Sequence, residues 1–431
     1  MTSASRCARG TPFLFGIRVD RDRRRIDPLT GMSLAHGHAD ACTADTREGT
    51  AASLAPYLAL GASPKGPIVL STRVGWDSAN VARRWTPAVL ASLFSLAAAT
   101  PARAQDVKLP PIAVGAGLQT SFVHNDPDDG DATDKFVLNS VRLYVSGEAT
   151  SKVKFTFNTE YDSVSNHVTV LDAVGRFEMS DKFNVWVGRM LPPSDRANLY
   201  GPYYSHHWAV YTDGVQDGYP FVATGRDNGA LYWGQFGKVK VSAGAFDGQS
   251  ATHNDTLITA GRIQVDFWDP EPGYYLNGTF YGDKNILAVG AAGQIQGGSD
   301  KSAYNADFLL ERKVGKGGAY SIEAEYARYH ALGGYDVRYA KNDGGYVLGS
   351  YLFPTPVGPG KFEILGKFAK ARFREGSSLI DADYDQKTTE VNFNYVIKQF
   401  NARVMLFYKD TRFDAVRVNF KQVGVGFQVQ I

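Results

Sequence analysis

The stretch Lys152-Val-Lys-Phe-Thr-Phe-Asn-Thr-Glu-Tyr-Asp162 decides the fold class. Val153, Phe155, Phe157 and Tyr161 alternate with Lys154, Thr156, Asn158 and Glu160. Successive side chains of an extended strand point to opposite faces, so this segment has one greasy face and one wet face. Val141, Leu143 and Val145 oppose Ser140, Arg142 and Tyr144 in the same way. So do Ile263, Val265 and Phe267 against Arg262, Gln264 and Asp266, and Val391, Phe393 and Tyr395 against Glu390, Asn392 and Asn394. Ala402, Val404, Leu406 and Tyr408 oppose Asn401, Arg403 and Met405. The chain ends with Val423, Val425, Phe427, Val429 and Ile431 set against Gln422, Gly424, Gly426, Gln428 and Gln430.

Strands are expected near 112–123, 136–147, 152–162, 167–177, 182–190, 226–236, 238–246, 256–268, 286–296, 302–313, 319–330, 343–353, 361–373, 387–397, 399–409 and 418–431. A further candidate, 274–281, is short and is assigned to the connection 269–285. The remaining even count returns both ends to one side of a barrel. Alternation also suits a soluble sandwich. The number of strands, the cysteine-free body and the aromatic residues near strand ends favour a membrane barrel. Tyr161, Trp186, Trp233, Trp268, Tyr326, Tyr329, Tyr395 and Tyr408 are placed as an interfacial girdle on that reading.

Composition agrees. Among 431 residues are 45 Gly, 25 Phe and 23 Tyr, and no run of 18 apolar residues exists, which excludes a helical membrane protein. The aromatic and β-branched content argues against disorder. Residues 1–104 carry 13 Lys and Arg against 7 Asp and Glu, whereas 105–431 carry 33 against 37. The body therefore has no nucleic-acid footprint. Cys7 and Cys42 both precede it, so it needs no disulfide framework.

Residues 82–104 follow the plan of a secretory signal peptide. Arg83 and Arg84 come first, then the apolar run from Ala88 to Ala99, then Ala102-Arg103-Ala104 as a cleavage site. Gln105 would begin the mature chain, exported across the inner membrane of a Gram-negative bacterium to the outer membrane. Residues 1–81 are read as an unstructured extension from a start assigned too far upstream, with Val74 or Val81 as the true start. A long native leader is the competing reading.

Short links such as Thr150-Ser151 and Lys398-Gln399 read as periplasmic turns. Polar links near 124–135, 247–255, 331–342, 374–386 and 410–417 read as external loops. The longest connection, 191–225, is too long to be slack in a compact fold and is expected to be functional.

These patches resemble the phosphate-selective porin O and P family of outer-membrane channels. The resemblance rests on Val-Gly-Arg-Met-Leu-Pro-Pro-Ser-Asp (187–195), Gly-Arg-Asp-Asn-Gly-Ala (225–230), Gly-Ala-Phe-Asp-Gly (244–248), Phe-Trp-Asp-Pro-Glu-Pro-Gly-Tyr-Tyr (267–275) and the amphipathic last strand. It spans 105–431 and implies an all-β, 16-stranded antiparallel transmembrane β-barrel. It further implies a homotrimer and a long third external loop folded into the pore. Two features depart from the pattern. The chain ends in Ile431 rather than Phe or Trp, and no dense array of lysine and arginine marks a strict phosphate channel.

Such a channel selects by width and wall charge. Arg142, Lys154, Arg176, Arg262, Lys367 and Arg403 lie on polar faces, and Arg189, Arg196 and Arg226 flank or occupy the long loop. Arg142, Lys154, Arg176, Arg189, Arg196, Arg226, Arg262 and Arg403 are the candidate pore-lining residues, because guanidinium groups bind carboxylate or phosphate bidentately. Their alternative role is to pair with carboxylates such as Glu160, Asp172, Glu178, Asp195 and Asp227. Tyr200, Tyr203, Tyr204, Trp208 and Tyr211 are expected to pack the loop against the wall rather than to form a slide for sugars or aromatic acids.

No metal or cofactor site is expected. His206 and His207 are adjacent and point apart on an extended chain, and Asp126–Asp134 lacks the ordered ligands of an EF-hand. That acidic stretch is read as an external loop in which divalent ions bridge to lipopolysaccharide. The partners are thus small hydrophilic solutes, phosphate or other anions among them, together with lipopolysaccharide and outer-membrane lipid. The function expected is passive diffusion with a modest anion preference. A plugged, structural or receptor barrel is the alternative. A barrel lipase built on Ser165 and His167, or on Ser321 and His330, is the least favoured, because neither pair has a nucleophile context.

Overall fold

The computed structural model describes residues 111–431 except 163–165, 209, 211, 216–224, 249–255, 333–337, 378–380 and 415–416. The leader (1–81) and the signal segment (82–104) lie outside the described residues.

Sixteen antiparallel strands close into one barrel. They are β1 (Ile112–Pro127), β2 (Thr133–Glu148), β3 (Val153–Asp162), β4 (His167–Ser180), β5 (Phe183–Met190), β6 (Asp227–Phe236), β7 (Val239–Phe246) and β8 (Ile258–Asp266). The second half is β9 (Ile286–Gln296), β10 (Ser302–Val314), β11 (Gly318–His330), β12 (Tyr339–Leu352), β13 (Lys361–Gly376), β14 (Tyr384–Lys398), β15 (Ala402–Phe413) and β16 (Phe420–Gln430). Each strand pairs with its neighbours in sequence, and β1 pairs with β16 from Gly117↔Gln430 to Pro127↔Phe420. The Ile431 amide donates to the Ala116 carbonyl at 2.9 Å and closes the seam. Closure leaves no strand edge to aggregate. Among the described residues no helix is long and apolar enough to cross a membrane.

The faces follow the alternation. Phe155, Phe157, Ile263, Val391, Phe393, Leu406, Val423, Val425 and Phe427 are exposed on the outside. Gln264, Asp307, Glu311, Glu323, Glu363, Glu390, Asn392 and Gln428 are buried inside. No strand forms over 274–281, which belongs to the connection between β8 and β9, as expected.

Among the described residues two connections turn inward. β1 begins and β16 ends at one rim, called the terminal rim, so the strand count places every connection at one rim or the other. The 191–226 link lies at the opposite, loop rim. It carries a short helix α1 (Arg196–Tyr200) and a 3-10 turn (Pro202–Tyr204). The 267–285 link enters from the terminal rim and meets it. The Leu276 amide donates to the Leu199 carbonyl at 3.4 Å, and the Gly278 amide to the Tyr204 carbonyl at 2.9 Å. Leu199, Tyr200 and Leu191 from one segment, and Tyr274 and Leu276 from the other, form an apolar cluster inside the barrel.

This cluster corrects part of the girdle expected from sequence. Trp186, Trp233 and Tyr329 face inward and are buried. Trp186 and Trp233 lie edge-on to each other at 6.0 Å and both contact Tyr274. Their aromatic surface is covered by the inner segments rather than by lipid. Tyr326 and Tyr408 do face outward.

Candidate functional site: the lumen and its two inner segments

Arg196 is the centre of the loop's attachment. Asp195 caps α1 by accepting from the Asn198 amide at 2.7 Å. Burial pushes the Asp195 carboxyl up to about 7, against the pull of that amide. Arg196 is fully buried and forms a bidentate fork with Glu271 of the 267–285 segment, at 2.5 and 3.0 Å. It also donates to the Asn277 carbonyl at 3.2 Å and approaches Asp307 of β10 at 3.4 Å. Arg262 of β8 completes the cluster, reaching Asp307 at 2.5 and 2.9 Å and the Ser194 carbonyl at 3.1 Å. One guanidinium thus joins both inner segments to the wall. A planar fork suits two parallel N–H···O bonds, which a lysine cannot make.

The loop's tip is held by backbone carbonyls. Arg403 of β15 donates to the Ser205 carbonyl at 2.5 Å, the Tyr203 carbonyl at 3.3 Å and Gln428 at 2.7 Å. Tyr203 lies over Gly117, where a Cβ would come within 2.7 Å of its ring. Trp208 lies over Gly426 in the same way at 2.5 Å and stacks on Phe407. Glycine at these wall positions leaves room for the loop aromatics. Packing of Tyr200, Tyr203 and Trp208 follows the expectation; Tyr211 lies outside the described residues.

The adjacent histidines diverge, as an extended chain requires. His206 Nε2 meets Glu363 at 2.7 Å. Burial disfavours its charge, but the Glu363 carboxylate overrides this and raises it above the ordinary range. Burial, then Lys367, holds His207 well below that range, and its Nε2 accepts from Lys367 Nζ at 3.1 Å. A raised histidine contributes its full stabilisation below about pH 6.5 and loses it as pH rises through the folded-state value. The temperature at which the barrel unfolds on a gel is therefore expected to fall between neutral and mildly alkaline pH. His206→Gln should flatten that part of the profile.

The eight candidate cations separate into three groups. Arg196, Arg262 and Arg403 face the lumen but are sealed against the inner segments. Arg189 departs from the expectation. It shares its face with Val185 and Val187 and pairs across the ladder with Ala173, so it points outward, and it donates to the Val170 carbonyl at 3.0 Å. The remaining four lie along β2–β4 and the entry to β6. Arg142 pairs with Glu160. Lys154 pairs with Glu148 at 3.0 Å and Glu178 at 3.3 Å, Arg176 with Glu178 at 3.4 Å, and Arg226 with Asp172 at 3.3 Å.

These four retain partial exposure, from 12% at Arg142 to 24% at Lys154, whereas the inward side chains of β8–β15 are mostly buried. Among the described residues the inward side chains of β2–β4 are thus more accessible than those of β8–β15. Arg142 lies 5.0 Å from the ring centroid of the buried Tyr203, and Arg176 5.6 Å from that of the buried Trp186. Among the described residues no cluster of three or more His, Cys, Asp or Glu is arranged to hold a metal. His330 and Ser321 lie on opposite faces of β11, and Ser165 is outside the described residues.

The fold is that of outer-membrane porins and channels. The chain is similar to Pseudomonas putida OprB at high pH, with 10% identity, a TM-score of 0.52, and coverage of 74% of this chain and 94% of that one. It is similar to Salmonella typhi OmpF in complex with daunomycin, with 13% identity, a TM-score of 0.51, and coverage of 75% and 98%. It is also similar to the outer-membrane channel DcaP of Acinetobacter baumannii, with 12% identity, a TM-score of 0.50, and coverage of 74% and 97%. No protein-family model and no curated protein matches it. The likeness is one of fold: a closed 16-stranded antiparallel barrel of the porin type.

Proposed function

We propose that this barrel is an outer-membrane porin through which small hydrophilic solutes diffuse passively, with a modest preference for anions such as phosphate or carboxylates. The observation that carries the reading is the partly exposed charged wall of β2–β4, against the mostly buried inward side chains of β8–β15. Cations and carboxylates alternate on that wall, so its selectivity is weak. The preference comes from donors left over. Arg142, Lys154 and Arg176 each keep part of the side chain accessible beside their carboxylate partners. Their accessible N–H groups suit a solute with oxygen acceptors. The resemblance to the phosphate-selective porin O and P family points to phosphate as one such solute. The same resemblance underlies a homotrimer, and the segment 82–104 underlies export through a cleaved signal peptide.

The test is the zero-current potential of the reconstituted protein in a salt gradient, for wild type and for Arg142→Glu/Lys154→Glu/Arg176→Glu. The wild type should favour the anion modestly. One wall charge is worth about 1 kcal/mol to an ion 4 Å away in water, and far less to one farther off in screening salt, so reversing three should shift the permeability ratio about tenfold or more toward cations. An unchanged ratio would remove these residues from the passage. The two inner segments favour a second reading, a plugged barrel, which predicts no stepwise conductance at all.

A further inference from the structure

The outer face of β11–β16 changes character toward the loop rim. Phe368, Val391, Phe393, Leu406, Tyr408, Val423 and Val425 form an exposed apolar band. One or two outward positions nearer the loop rim, the same strands carry Lys370, Lys387, Arg412 and Lys421. At about 3.3 Å per residue these cations stand about 7–14 Å beyond that band. That is the level of lipid headgroups.

The register sets three of them side by side. Lys370 is directly opposite Lys387 on β14, and Lys387 is directly opposite Arg412 on β15. Opposed residues on one face of a sheet lie about 5 Å apart, and like charges there repel. Carboxylates nearby relieve only the ends of the row. Lys370 Nζ meets Asp385 at 3.0 Å, which also takes Arg374 at 2.5 Å, and Arg412 meets Asp410 at 2.8 Å. Arg372 pairs with Asp343, and Lys341 with Glu375. Lys387, in the middle, makes no ion pair among the described residues. The face is exposed: the Arg412 side chain is 67% accessible, and Lys370 46%.

We propose that the Lys370–Lys387–Arg412 row binds the phosphate groups of a phosphorylated glycolipid in the outer leaflet. A phosphate monoester brings up to two negative charges and three acceptor oxygens to cations that repel one another without it. The lipid's acyl chains lie against the apolar band below, so one molecule meets both surfaces. A free phosphate satisfies only the first. The inference rests on the barrel's place in the outer membrane and is independent of ion selectivity in the lumen.

The experiment uses detergent-solubilised full-length protein, bis-phosphorylated lipid A as the probe, and native mass spectrometry to count bound lipid. Lys370→Gln/Lys387→Gln/Arg412→Gln should bind lipid A about tenfold more weakly or worse. Its single-channel conductance should stay at the wild-type value. Dephosphorylated lipid A should bind wild type and variant equally weakly. Should the triple variant fail to show the folded gel mobility, Lys387→Gln alone replaces it and should still weaken binding measurably. Undiminished binding to the folded variant overturns the site. Protection of wild type by inorganic phosphate at the same concentration overturns the lipid assignment. A loss of conductance by wild type would instead count against the porin reading and leave this site standing.

Discussion

Arg196→Met is expected to lower the barrel's stability by about 3–5 kcal/mol, the usual cost of removing one partner from a buried charge pair. The methionine fills most of the volume, so the loss is electrostatic. Glu271 and Asp307 stay buried, and Arg262 alone cannot serve both. The measurement is the temperature at which the folded band gives way to the unfolded one on a gel. It should fall by many degrees, and the open-channel current should become noisier as the long loop and the 267–285 segment separate. Arg196→Lys should recover only part of the loss, because an ammonium cannot make the bidentate fork. An unshifted transition for Arg196→Met would show that the inner segments are held by their apolar contacts alone.

The second large effect concerns the lumen. Replacing 270–283 with a short Gly-Ser turn removes Glu271, Tyr274, Leu276 and Tyr281 from the interior. Tyr274 and Tyr281 are buried there, and Tyr274 donates to the Leu191 carbonyl at 2.9 Å. Single-channel conductance should roughly double, since conduction follows the width left for water. Stability should fall as well, because the shortened turn uncovers Trp186 and Trp233. Unaltered conductance would place the segment outside the conducting path.

The strands were legible because one residue type per face is a strong signal. Their bounds agree well where the outward face is apolar throughout, as at 286–296. They fall short at the loop rim, where β13 runs on to Gly376 and β14 begins at Tyr384. There the outward positions turn to Lys370, Arg372, Arg374 and Lys387, so hydrophobic alternation stops while the hydrogen-bonded ladder continues. Pairing between strands, not the apolar pattern of either one, carries those last residues.

The site was legible in part. The wall cations Arg142, Lys154 and Arg176 could be read from parity. Parity also shows Arg189 in step with Val185 and Val187, and its neighbourhood to the long loop outweighed that signal. Arg196 and Arg403 could not be sorted from the wall cations by sequence. Their partners, Glu271 and the Ser205 carbonyl, lie 75 and 198 residues away. Parity likewise sets Trp186 opposite Val185 and Val187; what could not be read is that Tyr274 covers Trp186 and Trp233 from a distant connection. The one available hint was the length of 267–285, too long for a plain turn.

The most direct test of the passage along β2–β4 uses the cysteine-free body. Thr156 faces inward on β3 between Lys154 and Asn158, and Ala288 faces inward on β9 but is fully buried. Thr156→Cys and Ala288→Cys are placed in planar bilayers and exposed to a charged thiol reagent. Thr156→Cys should lose current in steps as the adduct narrows the passage, and Ala288→Cys should be unaffected. Blockade at Ala288→Cys with none at Thr156→Cys would put the water path on the other side of the barrel and contradict the account.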